Sequence, residues 1–179
     1  MKPSNRELSE LFIYYPETGV VTWRCGQRKG HNAGWVSKTK RGYLSIRVTI
    51  ARQIYRLSHV IWCYVSGNWP KEQIDHINGN PLDNRIVNLR EVSNSGNQKN
   101  AVRRTDNKSG VIGVIWNKKE KRWKSFINDS SNRINLGTFL NISDAISARK
   151  SAEVRFCFHP NHGRERLAAC QALVRADRR

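Results

Sequence analysis

Apolar residues in the first third of the chain come in short runs broken by turn residues, not at the three-and-four spacing of a helix. Leu11-Phe12-Ile13-Tyr14-Tyr15 leads into Pro16-Glu17-Thr18-Gly19, a turn with proline at its entry and glycine at its exit. Val20-Val21-Thr22-Trp23 then supplies a hairpin partner. Residues 26–34 are polar and loop-like. Over residues 42–50 the pattern alternates, with Leu44, Ile46, Val48 and Ile50 on one face and Tyr43, Ser45, Arg47 and Thr49 on the other. Residues 1–57 are therefore expected to form a β-rich N-terminal part.

The period changes at Ser58, a plausible N-cap for a helix over 59–66 that stops at Gly67. Val60, Ile61 and Tyr64 are helically spaced in it, and His59 reads as a packing or hydrogen-bonding histidine. After the turn Asn68-Trp69-Pro70, residues 73–76 form a short strand. Residues 78–84 form a tight Asn/Gly loop, and residues 88–92 a second strand. Ser93 or Ser95 can cap a helix carrying Asn97 and Asn100. The core over 58–100 is thus strand, loop, strand, helix.

A basic linker at 101–110 (AVRRTDNKSG) precedes three more strands, at 113–116, 123–127 and 133–139. Asn141-x-x-Asp144 resembles a capping box and opens a helix with Ala145, Ala148, Ala152 and Phe156 on one stripe. Residues 111–158 form this second domain, and 159–179 a basic tail, helical or disordered over 164–179. The expected class is α+β.

Composition narrows the function. Of 179 residues 32 are Lys or Arg and 14 Asp or Glu, a formal net charge of +18. Such a balance suits a polyanionic partner, whose phosphates the cations neutralise with release of counterions. No stretch approaches the ~20 apolar residues of a membrane span, and MKPSNRELSE has no apolar signal core. The expectation is a cytoplasmic protein, in a bacterial or phage-infected cell, that does not engage membranes. Cys25, Cys63, Cys157 and Cys170 are scattered with no C-x-x-C pair, which predicts reduced and mostly buried thiols. Cys157, His159 and His162 share an irregular turn that offers only three ligands and reads as structural.

One constellation carries chemistry. Asp75 and His76 close an apolar run, Asn88 follows His76 by 12 positions and Asn97 by 21. Phosphodiester hydrolysis needs an activated water and neutralisation of the charge that builds on the phosphate and leaving oxygen. His76 suits the first task because its ordinary pKa is near neutral. Asp75 offers a hard oxygen for Mg²⁺ or Mn²⁺, and an asparagine carbonyl is a reasonable second ligand. An Asp-His pair in a Gly/Asn loop is often only structural. Here the span from Glu72 to Glu91 also holds four acids against two bases in an otherwise basic chain. Such an acidic island suits a cation site among phosphate contacts.

These residues resemble a known family. His59-Val-Ile-Trp, Gly67-Asn-Trp-Pro, Ile74-Asp-His-Ile-Asn-Gly-Asn, Asn84-Arg-Ile-Val-Asn-Leu-Arg and Asn97-Gln-Lys-Asn resemble the HNH endonucleases of phages and homing elements, whose site is a ββα-metal fold. The resemblance implies His76 as general base and Asp75 as metal ligand. It implies Asn88 as the asparagine that ties the loop together and orients the histidine. Asn97 would be the second ligand, where the family's last histidine often stands, with one Mg²⁺ or Mn²⁺ per site.

Gly113-Val114, Lys121-Arg122-Trp123, Ile134-x-Leu136-Gly137-x-Phe139 and the Ala-rich helix resemble the plant Apetala-two or ethylene-response-factor DNA-binding domain, a three-stranded antiparallel sheet backed by one helix. That domain reads the major groove with first-strand arginines, near whose positions Ile112 and Ile115 stand here. Candidate DNA contacts are Arg47, Arg85, Lys99, Arg103, Arg104, Trp116, Lys118, Lys119, Arg122, Lys124 and Arg133. The expectation is a metal-dependent endonuclease on double-stranded DNA, monomer or weak dimer, without a small-molecule cofactor. The alternatives are a catalytically inactive DNA-binding regulator and an RNA-binding protein.

Overall fold

The computed structural model describes residues 2–39, 43–104, 106–129 and 132–165. The tail expected over 164–179 lies outside them except for Arg164 and Glu165, as does Cys170. The chain groups into two compact units, one ending at Ser93 and the other beginning at Asn94, a division inside the 58–100 stretch and before Asn97.

The first unit opens with α1 (Asn5–Leu11), a helix that the apolar runs do not reveal. Its signal is a capping box: Ser4 Oγ accepts from Glu7 N at 3.3 Å while the Glu7 carboxylate accepts from Ser4 N at 2.7 Å. β1 (Phe12–Tyr15) and β2 (Val20–Trp23) form the expected hairpin. β3 (Trp35–Lys38), β4 (Leu44–Ile50) and β5 (Gln53–Arg56) form an antiparallel sheet in that order. β5 follows β4 through Ala51 and Arg52, both at positive φ (46° and 66°). Two non-glycine residues in that conformation give no turn signature, so the sequence pattern does not announce the second hairpin.

α2 (Leu57–Ser66) begins one residue before the expected cap, with Arg56 at the N-cap and Ser58 buried in its first turn. It ends as expected at Gly67, whose φ of 82° lets its N–H reach Cys63 O at 2.9 Å. Leu8, Phe12, Val21, Val48, Val60, Ile61, Ile74 and Leu89 belong to one apolar cluster, so α1, the hairpin, the sheet, α2 and the two strands of the site share a core. Those last strands are β6 (Gln73–His76) and β7 (Leu89–Val92), antiparallel and joined by a loop that ends in a 3-10 turn, Ile86–Asn88.

The second unit begins with α3 (Asn94–Gln98), which carries Asn97; Asn100 lies just beyond it. β8 (Val114–Asn117), β9 (Arg122–Asp129) and β10 (Asn132–Phe139) form an antiparallel sheet in the order β10-β9-β8, and α4 (Ile142–Arg155) packs on it. Register separates the faces. Val114 pairs with Ser125 and Ile127 with Ile134; the first three are buried, as are Ala145 and Ala152 of α4. The opposite face carries Ile115, Arg122, Lys124, Phe126 and Arg133. Between the two buried alanines α4 also buries Arg149, which donates to Glu153 Oε1 at 3.0 Å and to Phe126 O at 2.9 Å. The stripe is therefore not purely apolar. A buried guanidinium is tolerated because its N–H groups are taken up by the carboxylate and a strand carbonyl.

Residues 99–103 are stitched to the segment after α4. His159 N donates to Lys99 O at 3.1 Å, Gly163 N to Ala101 O at 2.8 Å and Arg103 N to Arg164 O at 2.9 Å. His162 sits buried against Arg149. The expectation of mostly buried thiols fails: Cys63 is buried, but Cys25 and Cys157 are exposed. No described helix is long and apolar enough to cross a membrane.

Candidate active site

β6 ends at His76 because the chain then enters a loop whose backbone N–H groups are taken up by loop carbonyls and by its own side chains. Ile77 N donates to Asn88 O at 2.9 Å and Gly79 N to His76 O at 2.8 Å, with Gly79 at φ 71°. Asn88, buried, accepts from Asn78 N at 2.9 Å and donates through Nδ2 to Asp83 O at 2.8 Å. One amide thus clips together the start and the middle of the loop. Asn78 and Asn80 close Asx turns onto the N–H groups of Asn80 and Leu82, at 2.8 and 3.1 Å. Asp83 takes two side-chain bonds from Arg85, at 2.8 and 2.7 Å, and these hold its carboxyl well down, at about 2.

Asp75 faces Arg90 across the ladder, and Arg90 Nε and Nη2 both donate to Asp75 Oδ2, at 3.1 and 2.9 Å. His76 is held by a different asparagine from the one expected: Nε2 lies 3.1 Å from Asn84 Oδ1, while Asn88 bonds the loop backbone. Burial pulls His76 below its ordinary pKa, against the opposing pull of Asn84, Asp75 and Asp83. His59 is pushed down to about 4, by burial first and then by Arg56, Lys2 and His76; its partner is Ser58, with Oγ to Nδ1 at 3.4 Å. The packing reading of His59 stands.

The first unit therefore gathers Asp75, His76 and Asn88 about one loop, and Asn97 lies on α3 of the second unit. Three contributors escaped the sequence reading. Arg90 and Asn84 stand in the motif with no role evident from the sequence, and Tyr14, whose hydroxyl donates to Asn84 O at 3.1 Å, carries no local signal at all.

Many of the candidate DNA contacts have partners within the chain. Arg85 pairs with Asp83, Lys99 with Asp129, Arg103 with Glu165, Arg104 with Asp106 and Lys124 with Glu120. Arg133 lies 3.5 Å above the Phe126 ring. Lys118, Lys119 and Arg122 are exposed at the β8–β9 turn. Trp116 pairs with Trp123, on the side of the sheet that α4 covers. Arg47 stands on β4 between Trp35 and Arg56, and its buried Nε has no hydrogen-bond partner among the described residues.

Residues 55–99 match the family model described as HNH endonuclease. Protein 3.8 of Escherichia phage T7 is 35% identical over 68 residues, which is 37% of this chain and 56% of the relative. The chain thus spans about half the length of that curated relative. No solved structure matches. The loop that ties Asp75, His76 and Asn88 lies wholly inside the segment of HNH type.

Proposed function

We propose that the protein is a divalent-metal-dependent endonuclease acting on double-stranded DNA. The observation that carries this reading is the Asp75–His76 pair at the end of β6, with its loop locked by Asn88, inside the segment that matches the HNH endonuclease model. His76 is the general base that takes a proton from the attacking water. A half-buried imidazole with a depressed pKa is largely neutral near pH 7, the state a base requires.

The donor set fits a hard ion such as Mg²⁺ or Mn²⁺. Both bonds from Arg90 converge on Oδ2 of Asp75, and carboxylate oxygens are hard donors of the kind such ions take. Among the described residues no three His, Cys, Asp or Glu side chains cluster into a metal cage, so these residues do not offer a zinc-type site. Asp75 and Asn97 would hold the ion, with water and phosphate oxygens completing its shell. Bound there, the ion would offset charge on the scissile phosphate and on the departing oxygen. Arg90 orients the Asp75 carboxylate, and Asn88 keeps the loop in register beneath it.

DNA is delivered by the basic surface. In the second unit the face away from α4 presents Arg122, Lys124 and Arg133, which supports the use of an Apetala-two-like sheet against the duplex. Trp116 stands within β8 on the side that α4 covers, and the turn residues Lys118 and Lys119 border the sheet. Arg47, Arg85, Lys99, Arg103 and Arg104 are the remaining candidate phosphate contacts, and the charge of +18 supports them as a group. The relative in a phage supports action in the cytoplasm of an infected host cell.

The test is incubation of supercoiled plasmid with Mg²⁺ or Mn²⁺ at low salt and neutral pH. Nicked or linear product supports the reading, and intact plasmid with both ions overturns it. Binding without cutting would point to the inactive regulator, and preference for duplex RNA to the RNA-binding protein.

A further inference from the structure

The loop residue that touches His76 is Asn84, and three features fix it in place. Its side chain is buried, with the residue 1% exposed. Its carbonyl accepts from Tyr14 Oη at 3.1 Å, and the same hydroxyl accepts from Ile86 N at 2.8 Å, so one phenol grips the chain on both sides of Arg85. At the turn of the same N-terminal hairpin, Gly19 lies so close that a Cβ there would come within 2.6 Å of Asn84 C and 2.5 Å of Arg85 N. The hairpin lies outside residues 55–99, so the HNH-type segment borrows this support from the chain before it.

We propose that Asn84 is a positioning residue that sets the tautomer of His76: Oδ1 accepts the Nε2 proton, so that the neutral ring presents its lone pair at Nδ1. This rests on His76 being the base. The geometry gives Nε2 to Oδ1 as 3.1 Å. A carbonyl oxygen on Nε2 can keep that hydrogen bond whether the ring is neutral or protonated, so proton uptake at Nδ1 leaves the bond to Asn84 intact. With the amide turned the other way, its NH₂ would donate to Nε2, fix the proton on Nδ1 and remove the site from which water is activated. Asn84 Nδ2 is buried without a hydrogen-bond partner among the described residues.

The experiment is a long-range ¹H–¹⁵N correlation on the full chain labelled at histidine, without added metal and at a pH where the ring is neutral. The His76 signals are assigned by their loss in His76→Ala. The expected spectrum has the proton on Nε2 in the wild type and in Asn84→Asp, which keeps an acceptor oxygen, and a tautomer mixture in Asn84→Leu. A proton on Nδ1 in the wild type overturns the proposal, as does an unchanged tautomer in folded Asn84→Leu. The wild-type spectrum decides even where the leucine variant fails to fold. Plasmid nicking is read beside it: Asn84→Leu is expected to lower kcat roughly 10²- to 10⁴-fold, the scale seen when a catalytic histidine is held in the wrong tautomer, with KM changed little. An Nε2–H signal in a protein that cuts nothing would overturn the nuclease reading alone. Cutting by a protein with the proton on Nδ1 would overturn the role of Asn84 alone.

Discussion

Asp75 and Arg90 stand directly opposite each other on β6 and β7, and two N–H groups of Arg90 converge on one carboxylate oxygen, Oδ2. The pair orients an acid at the point where the strand gives way to the loop. Removing the guanidinium would take both of these bonds from the carboxylate. Arg90→Ala is expected to raise the Mg²⁺ or Mn²⁺ concentration for half-maximal cutting by about 10- to 100-fold, the usual scale for losing a partner of a metal ligand. A metal titration of the nicking rate measures it. An unchanged midpoint would mean that Arg90 does not orient Asp75 for an ion.

Asn88 makes two bonds that no neighbour duplicates, to Asn78 N and Asp83 O. Asn88→Ala leaves Asn78 N and Asp83 O without these partners at a part-buried place. The expected loss is roughly 1–3 kcal/mol of folding stability, because both groups are only partly buried. Urea unfolding measures it.

Much of this site was legible because its residues are close in sequence. The Gly79 loop, the strands on either side of it and the Asp75–His76 pair all lie within about twenty residues, and the turn and strand periods show through. Tyr14 and Asn84 are 70 positions apart, and no local pattern reports that a strand tyrosine will cap a distant loop. The start of α1 was open to reading in Ser4-x-x-Glu7, yet the apolar run at residues 11–15 drew attention to the strand that follows. Charge misleads differently. The excess of cations is plain, but which of them are engaged, as Lys99 is by Asp129 and Arg103 by Glu165, depends on the folded arrangement.

Gly19 and Tyr14 should be sensitive although neither lies in the matched segment. Gly19→Ala places a methyl group against the Asn84–Arg85 backbone at φ +74°. It should therefore cost more than the ~1 kcal/mol of an unfavourable conformation alone. Tyr14→Phe removes the hydroxyl that serves both Asn84 O and Ile86 N, and should cost roughly 1–3 kcal/mol. Thermal unfolding of both variants checks this, and variants as stable as the wild type would show that the hairpin does not support the loop.

Stability should fall on acidification within a defined window. His162 accepts from Arg149 Nη2 at 3.1 Å through Nε2, so it must be neutral there, and burial pushes its pKa down to about 4. The unfolded chain takes up this proton near its ordinary value of about 6.5 and the folded chain only near 4. The stabilisation is present above about pH 6.5, is lost progressively below it and is gone below about pH 4, with a total on the order of 3 kcal/mol. Asp83, held at about 2, acts in the same direction but only below about pH 4, so the two windows separate. Urea unfolding across this range should show in the wild type the summed slope of His162 and His59, which is also pushed down to about 4, and a reduced slope in His162→Gln. An equal slope in both would contradict the assignment.

The most direct measurement is single-turnover cleavage of a labelled DNA duplex by the wild type and by His76→Ala, with binding of the same duplex followed in parallel. The wild type should cut in the presence of Mg²⁺ or Mn²⁺, and His76→Ala should bind with similar affinity while its cutting falls by about 10²-fold or more, the contribution expected of a general base. Equal cleavage by the two proteins, or none by the wild type with either ion, would contradict a site built around His76.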